Sequence, residues 1–405
     1  MKRGRTVWLA STGVCVLLAA ALAAVLAVLP WAAARPGTTS AEPDRSAATR
    51  PATGAATGTD WPIFRGDPGM LGVAPGKLPR ALKRRWKFKT GGEVTSSAVV
   101  AGGRVYIGST DANVYCLDLA TGRKVWSFAT GDAVEAPPTV LGELVYVGSV
   151  DTFLYALDAK TGKQKWKLET EDKILGAANL LTDPKTGRQS LVVGSYDFSL
   201  YCVEPRTGKK LWRYESGNYI NGGVAVAKGR TVFGGCDAVV HVVGPDGKSA
   251  AKIDAGAYIA ATAAFDGRHV YVGNYEGGFL CADVAAGKVA WSYEGDEPFV
   301  SSPAVAGGRV LVGCRDNRLY CFDRKTGKKL WTFATRDEVN SSPVVCGGKI
   351  VFGSNDGRLY VVALADGKKI WSYDLGDAIL SSPAVAAGRV IVGCADGYVY
   401  AFGSP

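Results

Sequence analysis

The side chains able to do chemistry in this 405-residue chain are nine cysteines, two histidines and a recurring set of acids. His241 and His269 stand alone among apolar residues. That leaves no Ser–His–Asp or Cys–His set for nucleophilic catalysis and little material for a His-based metal site. The cysteines recur at fixed places. Cys116, Cys202, Cys281 and Cys321 stand where equivalent stretches have Ala156 and Ala401, and Cys236, Cys314 and Cys394 stand where others have Ser109, Ser149 and Ser354. A cysteine that exchanges with Ala or Ser is a small buried filler, so metal and disulfide roles are not expected; Cys314 with Cys321 comes nearest to such a pair. The acids Asp111, Asp151, Asp197, Asp237, Glu276, Asp316, Asp356 and Asp396 each follow closely on a glycine. A ring of carboxylates could hold calcium, but an Asp at a hairpin turn also accepts hydrogen bonds from nearby backbone N–H groups. Turn capping is the expectation.

Tryptophan marks the elements that carry these residues. Trp86, Trp126 and Trp166 are evenly spaced, Trp212 follows slightly late, and Trp291, Trp331 and Trp371 resume the interval, with Ala251 where a marker is missing. A fixed period of about 40 residues means a repeat architecture. Within residues 301–331, SSPAVA leads to RVLVG, then LYCFD, then KKLW, with turns at Gly307-Gly308, Arg315-Asp316-Asn317 and 324–327. Short runs of Val, Leu, Tyr and Phe between such turns are hairpin-linked strands, and four per unit make a propeller blade. Eight copies of the second-strand end run from Gly108 to Gly393. The expected fold is therefore all-β, an eight-bladed β-propeller with four antiparallel strands per blade. The last unit stops after its third strand, YVYAF, and the strand around Trp86 has no predecessor of its kind. The N-terminal strand is expected to complete blade eight, which removes an open edge. The 52 glycines suit many tight turns, and 47% apolar with 21% charged residues excludes a disordered chain.

The join between third and fourth strands is strict. Ala156-Leu-Asp158-Ala-Lys-Thr161-Gly162-Lys-Gln-Lys-Trp166 has counterparts ending at Trp126, Trp212, Trp291, Trp331 and Trp371, while the copy from His241 keeps Gly247 but has Ala251 for the indole. The pattern resembles the tryptophan-docking motif of the pyrroloquinoline-quinone (PQQ) quinoprotein propeller family, over roughly residues 61–405. By that resemblance Trp86, Trp126, Trp166, Trp212, Trp291, Trp331 and Trp371 dock neighbouring blades together with Gly122, Gly162, Gly208, Gly247, Gly287, Gly327 and Gly367. Each ring is expected to bury on the order of 200 Å². The family's alcohol dehydrogenases bind PQQ with calcium through extended loops that carry a catalytic acid, calcium ligands and a disulfide between adjacent cysteines. Here no two cysteines are adjacent, and the one sizeable insertion, 182–190, falls on a first-to-second-strand loop, away from the inter-blade loops of the funnel. The chain thus resembles the non-catalytic members, such as the propeller lipoprotein of the outer-membrane β-barrel assembly machinery. That resemblance implies an interaction scaffold with no enzyme activity, catalytic residues, metal or cofactor. The alternative is a PQQ- or small-molecule-binding propeller, in the limit a quinoprotein dehydrogenase with reduced loops and calcium.

Lys2, Arg3 and Arg5 precede an uncharged stretch, 6–34, which reads as a signal peptide or signal-anchor transmembrane helix over 1–34. Residues 7–29 are long enough to span a bilayer, whereas Ala32-Ala33-Ala34 after Pro30 offers a cleavage site. Cys15 lacks a fitting lipobox. A Pro/Ala/Thr-rich tether follows over 35–60, and the propeller takes 61–405. The protein is expected to be exported, held in the inner membrane facing the periplasm, or released there if the leader is cut. The formal charge of +10 is uneven. Arg123, Lys124, Lys209, Lys210, Lys328, Lys329, Lys368 and Lys369 fall on the third-to-fourth-strand turns of one face, the acids on the other. The basic face is a candidate contact for an acidic envelope partner or anionic lipid. Nucleic acid is not expected, since no aromatic stacking platform is interleaved with the charge. A monomer is expected. Thr95, Glu135, Leu175, Asn221, Ala260, Val300, Asn340 and Leu380 should ring the funnel mouth, a mild lining without a nucleophile–base pair.

Overall fold

The computed structural model describes residues 60–404. The leader, Cys15 and all but the last residue of the tether lie outside the described residues. The chain forms eight separate sheets. Blades one to seven occupy 99–129, 139–169, 179–215, 225–254, 264–294, 304–334 and 344–374, each with four antiparallel strands in chain order. Blade eight takes Ala384–Ala386, Arg389–Gly393 and Tyr398–Gly403 from the C-terminal end and Lys83–Lys89 from the N-terminal end. Those two end strands pair antiparallel, Trp86 opposite Ala401, so the ring closes as the repeat count requires. Among the described residues no helix is long and apolar enough to cross a membrane.

Alternation within each blade explains the core. Second and third strands read as almost continuous buried apolar runs, because both of their faces pack on neighbouring blades. Outer strands alternate exposed and half-buried residues, as at the rim of a disc. The glycine ending each second strand is fixed by close approach. A Cβ at Gly148 would lie 2.2 Å from the Ile174 side chain, and one at Gly353 2.2 Å from Ile379. Each of these apolar residues sits on the loop entering a neighbouring blade, so the glycine lets that loop lie flat on the blade surface.

Residues 61–82 precede the first blade strand and do something no repeat element does. Trp61 exchanges two 2.8 Å backbone hydrogen bonds with Val100 of blade one. The Pro62 carbonyl then accepts from Val140 N–H (2.8 Å), Pro68 from Val226 (2.6 Å), Gly69 from Phe265 (2.8 Å), Leu71 from Val305 (2.9 Å) and Gly72 from Val345 (2.9 Å). Blade three joins through the Asn179 side-chain amide, 2.7 Å from Pro68 O. Val73–Ala74 finally adds a short parallel strand to the inner edge of blade seven. The segment therefore visits the innermost strands of blades one to seven in turn, supplying acceptors to N–H groups that the narrow axis would otherwise leave unpaired. It buries Trp61, Ile63, Phe64, Met70, Ala74, Leu78 and Leu82. The bonded residues adjoin the first-to-second-strand turns, so this plug belongs to the end of the axis opposite the inter-blade loops.

Candidate interaction site at the funnel mouth

The acid ring is built of turns. Asp151 accepts from Phe153 N–H (3.1 Å) through one oxygen, and from Gly131 N–H (2.6 Å) and the Tyr155 hydroxyl (2.7 Å) through the other. Asp111 and Asp356 repeat this pattern with Tyr115 and Tyr360. Asp197 and Asp396 bind Tyr201 and Tyr400 in the same way. Each carboxylate thus ties its own hairpin to the third strand. The ring has one exception. In blade five Asn274, not Glu276, does the capping, its Oδ1 accepting from Glu276 N–H (3.1 Å) and Gly278 N–H (2.7 Å).

Blade four replaces the tyrosine by His241, which is fully buried. Its Nε2 lies 2.9 Å from Asp237 and its Nδ1 2.9 Å from the Tyr214 hydroxyl. The histidine therefore has partners that its isolated place in the sequence did not show. Burial pushes its pKa below the usual 6.5, outweighing the opposite pull of Asp237. Below about pH 6.5 the unfolded chain then binds a proton that the folded chain refuses, so stability is lost as pH falls through that value. In urea unfolding, the drop in stability from pH 7.5 to 5 is expected to be smaller in His241→Tyr, which restores the residue of most other blades. An unchanged drop would show that other groups carry it.

The cysteines are spacers. All eight in the described region are free, seven of them buried and Cys236 half-buried. Burial pushes the thiols of Cys116 and Cys202 up to about 11 and those of Cys281, Cys314, Cys321 and Cys394 up to about 12. They stay protonated and poorly nucleophilic.

The indole joints run from blade to blade. Trp86, Trp126, Trp166, Trp212, Trp291 and Trp331 lie over Gly122, Gly162, Gly208, Gly247, Gly327 and Gly367 of the following blade, within 2.6–2.7 Å of where a Cβ would stand. Five of these rings also donate to a carbonyl of the same turn, for example Trp86 Nε1–H to Leu119 O (3.0 Å) and Trp291 to Arg324 O (3.0 Å). Two members of the sequence set stand apart. Gly287 has open space beside it, because Ala251 replaces the indole that would fill it. Trp371 has no glycine turn to meet, since blade eight is closed by the N-terminal strand, and packs edge-on against Phe402 at 5.7 Å.

The eight basic candidates are all exposed and belong to blades one, three, six and seven. The structure does not gather them. Lys329 reaches towards the Tyr293 hydroxyl (3.4 Å), Lys210 lies over the Tyr201 ring (4.8 Å), and Lys368 pairs with Asp366 (3.1 Å).

What does gather is aromatic, on the opposite face. Tyr196 and Tyr219 stack at 4.8 Å, Phe198 meets Tyr219 edge-on at 5.0 Å, and Tyr258 stacks on Tyr275 at 4.4 Å. The Lys173 ammonium lies 4.5 Å above Tyr196 and the Arg315 guanidinium 5.4 Å from Tyr275, bounding the arc with cations on a face that the sequence marks as acidic. Phe198, Tyr219 and Tyr258 are 41%, 40% and 45% exposed. Second-to-third-strand turns place Tyr196, Phe198, Tyr275 and Arg315, and inter-blade loops place Tyr219 and Tyr258. Equivalent turns carry Thr110, Val150, Asn355 and Ala395, so the arc is confined to one side of the mouth. Phe198 also has a left-handed backbone (φ 68°), at a turn position that is Gly277, Gly357 and Gly397 in blades five, seven and eight but Ala112, Thr152, Ala238 and Asn317 in blades one, two, four and six. A bulky residue held there costs about 1–2 kcal/mol that glycine avoids. Of the mouth residues read from sequence, Asn221 takes part, accepting from the Tyr196 hydroxyl at 2.8 Å.

A quinone with calcium would require carboxylates converging on the axis. The mouth ring read from sequence holds one carboxylate, Glu135, Glu338 accepts from Asn340 beside it at 2.8 Å, and the acid ring is engaged in turns.

Closed ring, indole–glycine joints and one-sided mouth define a tryptophan-docked eight-bladed β-propeller. The chain belongs to the family described as outer membrane protein assembly factor BamB, whose model matches residues 79–235 and 236–402. Among solved structures it is similar to BamB from Moraxella catarrhalis, at 19% identity and a TM-score of 0.68, covering 80% of this chain and 100% of that one. It is also similar to the quinohemoprotein alcohol dehydrogenase from Comamonas testosteroni, at 17% identity and a TM-score of 0.72 over 87% and 82% of the two chains. A europium-containing methanol dehydrogenase gives 15% identity and a TM-score of 0.71 over 86% and 98%. At these identities the likeness is one of fold. No curated protein matches the chain.

Proposed function

We propose that this chain is a non-enzymatic, exported scaffold of the cell envelope, active on the periplasmic side, that docks a partner protein through the aromatic arc of blades three to five. The observation that carries this reading is the cluster of exposed Phe198, Tyr219 and Tyr258, with Phe198 and Tyr219 packed edge-on at 5.0 Å. Tyrosine and arginine dominate the energetic centres of protein interfaces, and rigid rings cost little entropy to order. The family's description as an assembly factor supports a partner among envelope proteins.

Two results test it. Photo-cross-linkers at Tyr219 and Tyr258 are expected to capture one defined envelope protein in living cells, while cross-linkers at Lys328 and Lys368 do not. Phe198→Gly is expected to stabilise the fold by about 1 kcal/mol in urea unfolding while weakening that capture at least tenfold. Capture only from the lysine positions would move the interface to the basic face. PQQ- and calcium-dependent oxidation of alcohols by the purified chain would overturn the non-enzymatic reading.

A further inference from the structure

The plug leaves one charge without a partner. Arg65 is 1% exposed, and only one of its nitrogens is used, Nη2 donating to Pro303 O at 3.0 Å. Its Nε and Nη1 are buried with no acceptor. The guanidinium lies so close over Gly72 that a Cβ there would fall 2.1 Å from Nη2. Asp67 is the neighbouring opposite charge, but its Oδ2 accepts from Leu71 N–H (3.1 Å), and among the described residues it is not a partner of the free Arg65 nitrogens. A buried guanidinium in this condition costs several kcal/mol unless something compensates it. Burial accordingly pulls its pKa down to about 9, with Asp67 pulling the other way.

The surroundings point to what compensates it. Pro303 follows Ser302, one of the residues where the inner strands converge. At that level stand Ser97, Thr262, Ser302, Ser342 and Ser382, while blades two to four have Pro137, Ala177 and Gly223. These hydroxyl residues keep 4–6% exposure, whereas Ser96, Ser341 and Ser381 just before three of them have none. Four of these oxygens, all but that of Ser302, are used as acceptors: Ser302 N–H donates to Ser342 Oγ (2.9 Å), Ser342 N–H to Ser382 Oγ (3.2 Å), Ser382 N–H to Ser97 Oγ (2.8 Å), and Gly223 N–H to Thr262 Oγ1 (2.7 Å). Each of these four hydroxyls keeps its own O–H donor for another partner. Arg65 meets this arc at blade six, beside Ser302.

We propose that the axis at the level of these serines binds a small inorganic anion of the halide class, held by the free N–H groups of Arg65 and by hydroxyl donors of Ser342 and Ser382. Donors without acceptors on one side of a narrow, polar site select a compact anion over a cation, and its charge offsets the guanidinium that the plug carries inside.

Bromide is the probe. The full chain, purified into sodium gluconate, is titrated with sodium bromide at constant ionic strength and followed by calorimetry, and crystals grown in bromide are measured for anomalous scattering. The expected result is saturable binding and a bromide peak within hydrogen-bond distance of Arg65. Arg65→Gln is expected to weaken binding about tenfold or more, the scale of losing charge-assisted hydrogen bonds. Should Arg65→Gln not fold, Ser342→Ala and Ser382→Ala keep the plug intact and are each expected to weaken bromide several-fold. No saturable binding, no peak at Arg65, or serine variants that bind as the parent does would each overturn the site.

Discussion

A chain that begins at residue 90, lacking the plug and the closing strand, is expected to have no cooperative folded state. Seven large side chains of residues 61–89, namely Trp61, Ile63, Phe64, Met70, Leu78, Leu82 and Trp86, are buried. At about 1.5–3 kcal/mol each, their burial is worth on the order of 10–20 kcal/mol. The whole stability of a domain is roughly 5–15 kcal/mol. Backbone losses point the same way. Without this segment Val140, Val226, Phe265, Val305 and Val345 lose the acceptors of their N–H groups, and the last strand, Tyr398–Gly403, becomes an open edge. Far-ultraviolet dichroism during urea unfolding checks this: the truncated chain should lose the sharp transition of the parent. A synthetic peptide covering residues 60–89 should restore it in trans, because the contacts it makes are all non-covalent. A truncated chain that melts as sharply and as late as the parent would mean that the blades hold their ring without a clasp.

Regularity decides which of these features the sequence displays. The indole interval, the glycine ahead of each acid and the final unit's missing strand are repeated or conspicuously absent, so eight blades and their closure are readable before any coordinates exist. The plug is not readable in that way, because residues 61–82 have no second copy with which to compare them. Their one signal is composition: Trp61, Ile63, Phe64, Met70 and Leu71 are too apolar for a solvated tether. The aromatic arc fails for the opposite reason. It lives in the turn positions where copies differ, Tyr196 and Tyr275 against Thr110, Val150, Asn355 and Ala395, and comparing copies for what they share discards such differences. Side-chain substitution within a motif hides the rest. Asn274 caps the turn that Glu276 was expected to cap, and His241 stands in for a tyrosine, because the geometry asks for an acceptor or a ring donor rather than for one residue type.

The missing indole turns the repeat into its own control. Gly327→Ala is expected to destabilise the protein by roughly 2–5 kcal/mol, against only about 1–2 kcal/mol for Gly287→Ala. Both glycines have left-handed backbones, φ 71° at Gly327 and 63° at Gly287, so both alanines carry the same conformational cost, about 1–2 kcal/mol. They differ in what the new methyl meets. At Gly327 it would stand 2.6 Å from two atoms of the Trp291 ring, well inside contact distance, whereas at Gly287 nothing lies within 4 Å. The ring cannot retreat freely, since its N–H is held by Arg324 O at 3.0 Å. Forcing it aside adds the cost of overpacking, typically 1–3 kcal/mol. Parallel urea unfolding of the two variants measures the difference directly. If Trp291→Ala is then combined with Gly327→Ala, the extra penalty of the alanine should shrink to the Gly287 value, because only the backbone cost remains. Equal penalties at the two glycines would mean that the indoles merely lie near these turns and that blade order is held by the inter-blade apolar residues alone.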